Sequence, residues 1–213
     1  MAVLAHEPSS TKRPNQDLDL ERRAFLDLLR MANTLSEPKE IAQQLVVLAR
    51  HLSGCEAVAI RLKVGPGYPY AANLGFPAPF VAIEDDLCLT DDAGRLLRDE
   101  HRQPVLACLC GRVLSGRVDR QQPFFTDRGS FITASTTHLL AAHCESDCLG
   151  RTRNRCHGAG YETVGLFPIR RDGVTYGLIQ CNDPRPDRLT VEAIDLLEKL
   201  AASAAHLLQL TMA

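Results

Sequence analysis

Apolar positions along this chain change period more than once. From about Asp17 to Leu35, the residues Leu20, Phe25, Leu28, Leu29, Ala32 and Leu35 recur near the i, i+3, i+4 spacing of one helix face. Ser36 reads as an N-cap. Glu37 and Pro38 follow in the first turn, where an acidic side chain and a proline both suit the unpaired amides. A second helix is expected from about Glu37 to Leu52, with Ile41, Leu45, Leu48 and Leu52 on one face and Gly54 as its stop. The period then shortens to two. Cys55–Lys63 alternates apolar and polar residues as a half-buried strand does, Gly65-Pro-Gly67 turns the chain, and Tyr70–Leu74 is a second strand. Residues 77–104 keep no period and read as loop or short helix. Residues 105–118 read as a short helix or turn around Cys110-Gly111, and 135–142 as a short helix. The strongest strand signals come late. Tyr161–Arg170 and Val174–Asn182 flank Arg171-Asp172-Gly173, and an Asp-Gly pair between two apolar runs is a hairpin signature. Pro184 and Pro186 stop the second strand. Thr190 caps a final helix whose stripe is Val191, Ile194, Leu197, Ala201, Ala204 and Leu208.

The order helix, helix, strand, strand, long irregular middle, hairpin, helix predicts an α+β fold. Its antiparallel sheet carries the two N-terminal helices and the C-terminal helix on one face and an elaborated loop-rich middle on the other. Residues 1–16 are polar and aperiodic and read as a disordered leader, 17–36 as an N-terminal helix, and 37–210 as the domain proper. A hydrophobic fraction of 45% over 213 residues supports a real core. The formal net charge of -2 gives no electrostatic footprint for nucleic acid or an anionic membrane, and Trp is absent. No apolar run approaches the ~20 residues of a spanning helix, and the N-terminus lacks the order of a secretory signal. A cytoplasmic location follows as an expectation. It makes structural disulfides unfavoured and shifts clustered cysteines toward metal binding or redox chemistry.

That matters because five of the eight cysteines fall between Cys108 and Pro168: Cys108, Cys110, Cys144, Cys148 and Cys156, with Cys88 just upstream. The stretch holds Cys108-Leu-Cys110-Gly111, Pro123-Phe-Phe-Thr-Asp-Arg-Gly-Ser-Phe131 and Thr152-Arg-Asn-Arg-Cys156-His-Gly-Ala-Gly-Tyr-Glu162. With the late hairpin and the Arg188-Leu-Thr-Val-Glu192 entry to the last helix, these runs resemble a GAF domain. More narrowly, they resemble a cysteine-containing subgroup found beside PAS domains and histidine kinases in bacterial signalling proteins. Arg128 departs from that subgroup, which has glycine there, and Cys144 and Cys148 look like additions. The resemblance spans about Glu37 to Leu208. It implies a sheet of about six strands, a homodimer through the terminal helices, a pocket under the irregular middle, and a histidine kinase or other output domain as partner. No kinase or output domain is present in the sequence itself.

Thiolates are soft, anionic ligands for Zn²⁺ or an iron–sulfur cluster, and four are the usual complement. Cys88, Cys108, Cys110 and Cys156 are the expected metal set, with Gly111 easing a turn around the metal and Cys144, Cys148, His143 and His157 in reserve. The rival readings of the same four are buried or free thiols and a reversible thiol–disulfide switch. Zinc and an iron–sulfur cluster are not separable from sequence; the cluster is favoured because a sensor needs a signal. Cys55 and Cys181, inside apparent strands, read as small buried hydrophobes. Phe125, Phe131, Arg153 and Glu162 are candidate ligand-binding residues, against core packing for the phenylalanines and an ion pair for Glu162. The expected function is a cytoplasmic sensory domain that binds a cysteine-ligated metal centre or a small ligand and signals through its terminal helices. The alternatives are a thiol enzyme of the free methionine sulfoxide reductase type, or a dimerisation module with a structural zinc.

Overall fold

A strand inside a sheet covered on both faces has no polar edge to show, and this governs β1 (Ala57–Leu62). All six of its residues are buried, Arg61 included, although alternation predicts one exposed face. The computed structural model describes residues 14–35, 37–143 and 152–211. Ser36, Cys144, Cys148 and residues 1–13 of the expected leader lie outside the described residues. The sheet among the described residues has five strands, one fewer than expected, in the order β2-β1-β5-β4-β3, and all pairings are antiparallel. The others are β2 (Tyr70–Leu74), β3 (Phe131–Thr133), β4 (Thr163–Arg171) and β5 (Val174–Asp183). The Asp172-Gly173 turn joins β4 to β5. Both turn residues have positive φ, which glycine and aspartate tolerate. β3 escapes sequence reading because three residues are too few to show a period.

Side-chain alternation sorts the sheet into two faces. Val58, Ile60, Phe167, Ile169, Ile179 and Cys181 point to the helical face. There they meet α1 (Pro14–Thr34), α2 (Pro38–Ser53) and α7 (Val191–Thr211). Gly54 ends α2 in a left-handed conformation, as a C-cap glycine does. The Thr190 hydroxyl accepts the Ala193 amide at the start of α7.

The opposite face carries Ala57, Ala59, Arg61, Val164, Leu166, Leu178 and Gln180, and the irregular middle covers it. That cover contains α3 (Ala78–Glu84), α4 (Cys108–Ser115), α5 (Thr136–His143) and the single turn α6 (Arg155–Gly158). Between α3 and α4 the chain folds on itself through isolated bridges, Cys88 with Leu106, Thr90 with Leu96, and Arg98 with Pro104. A ladder this short and charged shows no sequence period, so residues 77–104 read as loop.

Candidate functional site

The cover and the sheet form a partly open cavity of about 60 Å³. Its apolar wall is Leu109, Phe131, Leu139, Leu140, Val164 and Leu166. Cys108, Cys110 and Cys156 open onto it, and Glu84, Thr136 and Gln180 line it as well. Each wall has a local cause. Gln180 and Leu166 are opposite one another on β5 and β4, facing the cover. Leu139 and Leu140 come from α5, whose first turn is held by Glu162. That carboxylate accepts the Ser135 hydroxyl (2.7 Å), the Thr137 hydroxyl (2.6 Å) and the Thr137 amide (3.2 Å). These donors, the Thr137 hydroxyl first, pull the Glu162 carboxyl down to about 2. Thr136 ties α5 to α6: its hydroxyl donates to the Tyr161 carbonyl and meets His157 Nδ1 at 3.1 Å.

Cys108 begins α4 with φ at 63°, and Asn154 precedes α6 with φ at 52°, both left-handed non-glycine residues lining this cavity. The Cys108 sulfur accepts the Arg153 amide at 3.1 Å, which ties α4 to the segment before α6. Gln180 Nε2 donates to the Cys156 sulfur at 3.9 Å, and its Oε1 accepts the Tyr70 hydroxyl at 3.0 Å. Burial pushes the Cys108 and Cys110 thiols up and the Cys156 thiol up to about 12. All three are therefore neutral S–H groups at physiological pH.

Two buried charges brace the site. Arg61 is wholly buried, its guanidinium 3.6 Å from the centre of the Tyr70 ring. It donates to the carbonyls of Tyr68, Asp85 and Glu84 and so pins the end of α3 to β1. Glu84, 4% exposed, pairs with Arg153 (3.4 Å) and Arg155 (3.1 Å) from the segment that covers the cavity.

The expected residues therefore separate. Cys108, Cys110 and Cys156 share the cavity, while Cys88 sits on the bridged loop with its thiol toward the Pro66 carbonyl, outside the lining. Among the described residues, no group of three or more His, Cys, Asp or Glu is placed to hold a metal ion, and Cys88 stands apart from the other three expected thiols. Gly111 serves α4 in a different way. A Cβ there would lie 2.6 Å from the Leu106 backbone, so the glycine permits close helix packing rather than a turn around a metal. Phe131 lines the cavity. Phe125 packs behind it against Phe124 and Phe131 as core. Arg153 acts through its Glu84 pair and its amide, and Glu162 anchors α5 and borders an outer groove instead. Cys55 and Cys181 are buried in the helical-face core. Glu84, Arg61 and Gln180 escaped the sequence reading. The available signal was a lone arginine or amide inside an otherwise apolar strand.

A search of curated proteins returns no match. Among solved structures, the chain is similar to the GAF domain of a phosphoenolpyruvate-protein phosphotransferase from Acinetobacter. The TM-score is 0.57 at 14% identity, covering 92% of this chain and 95% of that one. It is similar to a free methionine-R-sulfoxide reductase from Neisseria meningitidis, with TM-score 0.57 at 12% identity, covering 100% of this chain and 98% of that one. It is also similar to residues 122 to 287 of a methyl-accepting chemotaxis protein, with TM-score 0.54 at 15% identity, covering 90% and 99%. At these identities the likeness is one of fold. The family model for the GAF domain matches residues 37–208, most of the sequence. The chain belongs to the GAF domain family.

Proposed function

We propose that this GAF domain is a sensory module whose signal is a small, largely apolar, uncharged ligand held in the cavity between β4–β5 and helices α4, α5 and α6. The observation that carries the reading is the cavity itself: six apolar side chains and three protonated thiols beside a few polar groups, with the charged Glu84 and Arg155 of its lining paired to each other. Small-ligand sites are concave and mostly apolar with a few polar groups that orient the guest. Here the polar groups that could orient a guest include the thiols of Cys110 and Cys156 and the side chains of Asn154 and His157. The likeness of fold to a chemotaxis protein supports a signalling role, with the output carried by the helical face. A homodimer through the terminal helices is part of the proposal. It is supported by exposed Phe25, Leu26 and Leu29 on α1. Among the described residues no helix is long and apolar enough to cross a membrane.

The second reading is a thiol enzyme acting on a sulfoxide. It is favoured by the fold of the Neisseria reductase and by the strained Cys108 with its amide donor. The raised thiols weigh against it, since the thiolate is the nucleophile.

The test is native mass spectrometry with metal and sulfide analysis of protein purified without oxygen. A metal-free chain that retains a small molecule, lost in Cys110→Leu, is the expected result. One iron–sulfur cluster or one zinc per chain overturns the ligand reading, and turnover of free methionine sulfoxide with a thiol reductant makes the second reading the right one.

A further inference from the structure

The hairpin that carries Phe131 into the cavity wall reaches round the sheet edge to α7. Residues 126–130 form its tip. The Thr126 amide donates to the Ser130 carbonyl, and Gly129 takes φ at 84°. Arg128 is not among the positive-φ residues, so the turn accepts arginine where the resembled subgroup has glycine. From this tip three side chains converge on one carboxylate of α7. Glu198 Oε1 accepts the Thr126 hydroxyl at 2.5 Å and the Ser130 hydroxyl at 2.7 Å, and Oε2 lies 3.4 Å from Arg128. The Glu198 side chain is 9% exposed. A carboxylate is expensive to dehydrate, and an apolar contact would hold a loop to a helix at less cost.

We infer that Glu198 is the positioning residue through which α7 reads the state of the cavity, by way of Ser130, Thr126 and Phe131. Ser130 immediately precedes the edge strand β3 that Phe131 begins, and the two side chains serve opposite faces of the sheet, Phe131 the cavity and the Ser130 hydroxyl α7. Phe131 forms cavity wall on one face, and Ser130 delivers any displacement of it to Glu198 on the other. One peptide separates them, which leaves no slack. The connection continues outward: Arg128 pairs with Asp195, Asp195 with Lys199, and Lys199 with Glu21 of α1. These outer pairs are half exposed and screened by water, so the buried Glu198 contact is the link that carries coupling. The inference rests on the cavity being the ligand site. Its test replaces ligand by protein volume, so it stands or falls independently of whether any natural ligand is found.

The experiment is a double-variant cycle read by amide hydrogen exchange of α7. Cys110→Leu and, separately, Val164→Leu add volume to the cavity wall and stand in for an occupant. Each is expected to change exchange of the α7 amides about fivefold or more in the otherwise unaltered chain. In the Glu198→Gln background, and in Thr126→Val with Ser130→Ala, the same cavity substitution is expected to leave α7 exchange where the background variant alone had set it. A purely structural Glu198 would shift α7 exchange additively with the cavity substitution. Additive effects, or an α7 that ignores both cavity substitutions, overturn the inference. Circular dichroism of each variant confirms that a folded chain is being read, and the loop-side pair keeps the test decisive if Glu198→Gln does not fold.

Discussion

Gly111 and Arg61 show how much a single residue here depends on what lies next to it. Glycine inside a helix ordinarily costs stability, and alanine in its place would gain about 0.5–1 kcal/mol on propensity alone. At Gly111 the added carbon would meet the backbone of Leu106 at 2.6 Å. Gly111→Ala is therefore expected to destabilise, by about 1–3 kcal/mol as overpacking does, measured by urea unfolding. A gain would mean that α4 is not pressed against the 104–107 segment. Arg61 is the sharper case. Its guanidinium donates to three backbone carbonyls, those of Tyr68 and Glu84 in buried bonds, and each buried carbonyl left without a partner costs about 1–3 kcal/mol. Arg61→Met keeps the bulk and removes the donors. The expected loss is about 3 kcal/mol or more, and a midpoint within error of the parent would show that water reaches those carbonyls.

At the scale of elements, the cavity roof is the part most open to adjustment. The first turn of α5 is anchored by a carboxylate outside the helix, beside the Thr136 bonds to Tyr161 and His157. Glu162 is ionised in the folded chain well below the ordinary glutamate value of 4.5, down to about 2. A depressed carboxyl contributes stability that is fully present above its unfolded value and is lost as pH falls through the folded one. Protection of the α5 amides, taken relative to the intrinsic exchange rate at each pH, is thus expected to fall as pH drops from 4.5 toward about 2. Glu162→Gln should show fast α5 exchange already at neutral pH and little further acid dependence. An α5 that exchanges identically in both proteins would remove Glu162 from that role. The clasp of Glu84 with Arg153 and Arg155 works on the other side of the roof, between α3 and the approach to α6. The two anchors explain how a loop-rich cover with only short helices holds its place over the cavity.

For the whole molecule, the thiols set an alkaline limit. Cys108, Cys110 and Cys156 are raised by burial above the free value of 9.0, Cys156 to about 12. Below pH 9 both folded and unfolded chains hold these protons, and the stabilisation is complete. Between pH 9 and about 12 the unfolded chain releases them first, so stability falls. Denaturation midpoints across that range should decline in the parent and decline less in Cys156→Ala; equal slopes would show that Cys156 is not buried as placed. The proposed homodimer is tested at the same scale. Sedimentation should give a two-chain species that Phe25→Asp with Leu29→Asp converts to one chain. A parent already monomeric at high concentration would leave those exposed side chains to another partner.

Periodicity by itself determined the elements that pack against a continuous apolar surface. α2, β1, β2, the β4–β5 hairpin and α7 are each long enough to repeat a pattern, and their sum already implies an antiparallel sheet with helices on one face. The Asp172-Gly173 turn and the Thr190 cap are local chemistry and were legible for the same reason. Tertiary structure alone decided which residues share the cavity. β3 is three residues long, α6 is one turn, and the bridges between residues 88 and 106 join short charged segments, so none writes a period into the sequence. Cysteine spacing named four candidates but carried no information on the path of the intervening chain, and that path takes Cys88 away from the other three. Arg61, Glu84 and Gln180 look unremarkable along the sequence. They matter because β1, α3 and β5 meet in space, where a buried polar group must find a partner, and only the fold determines which one it finds.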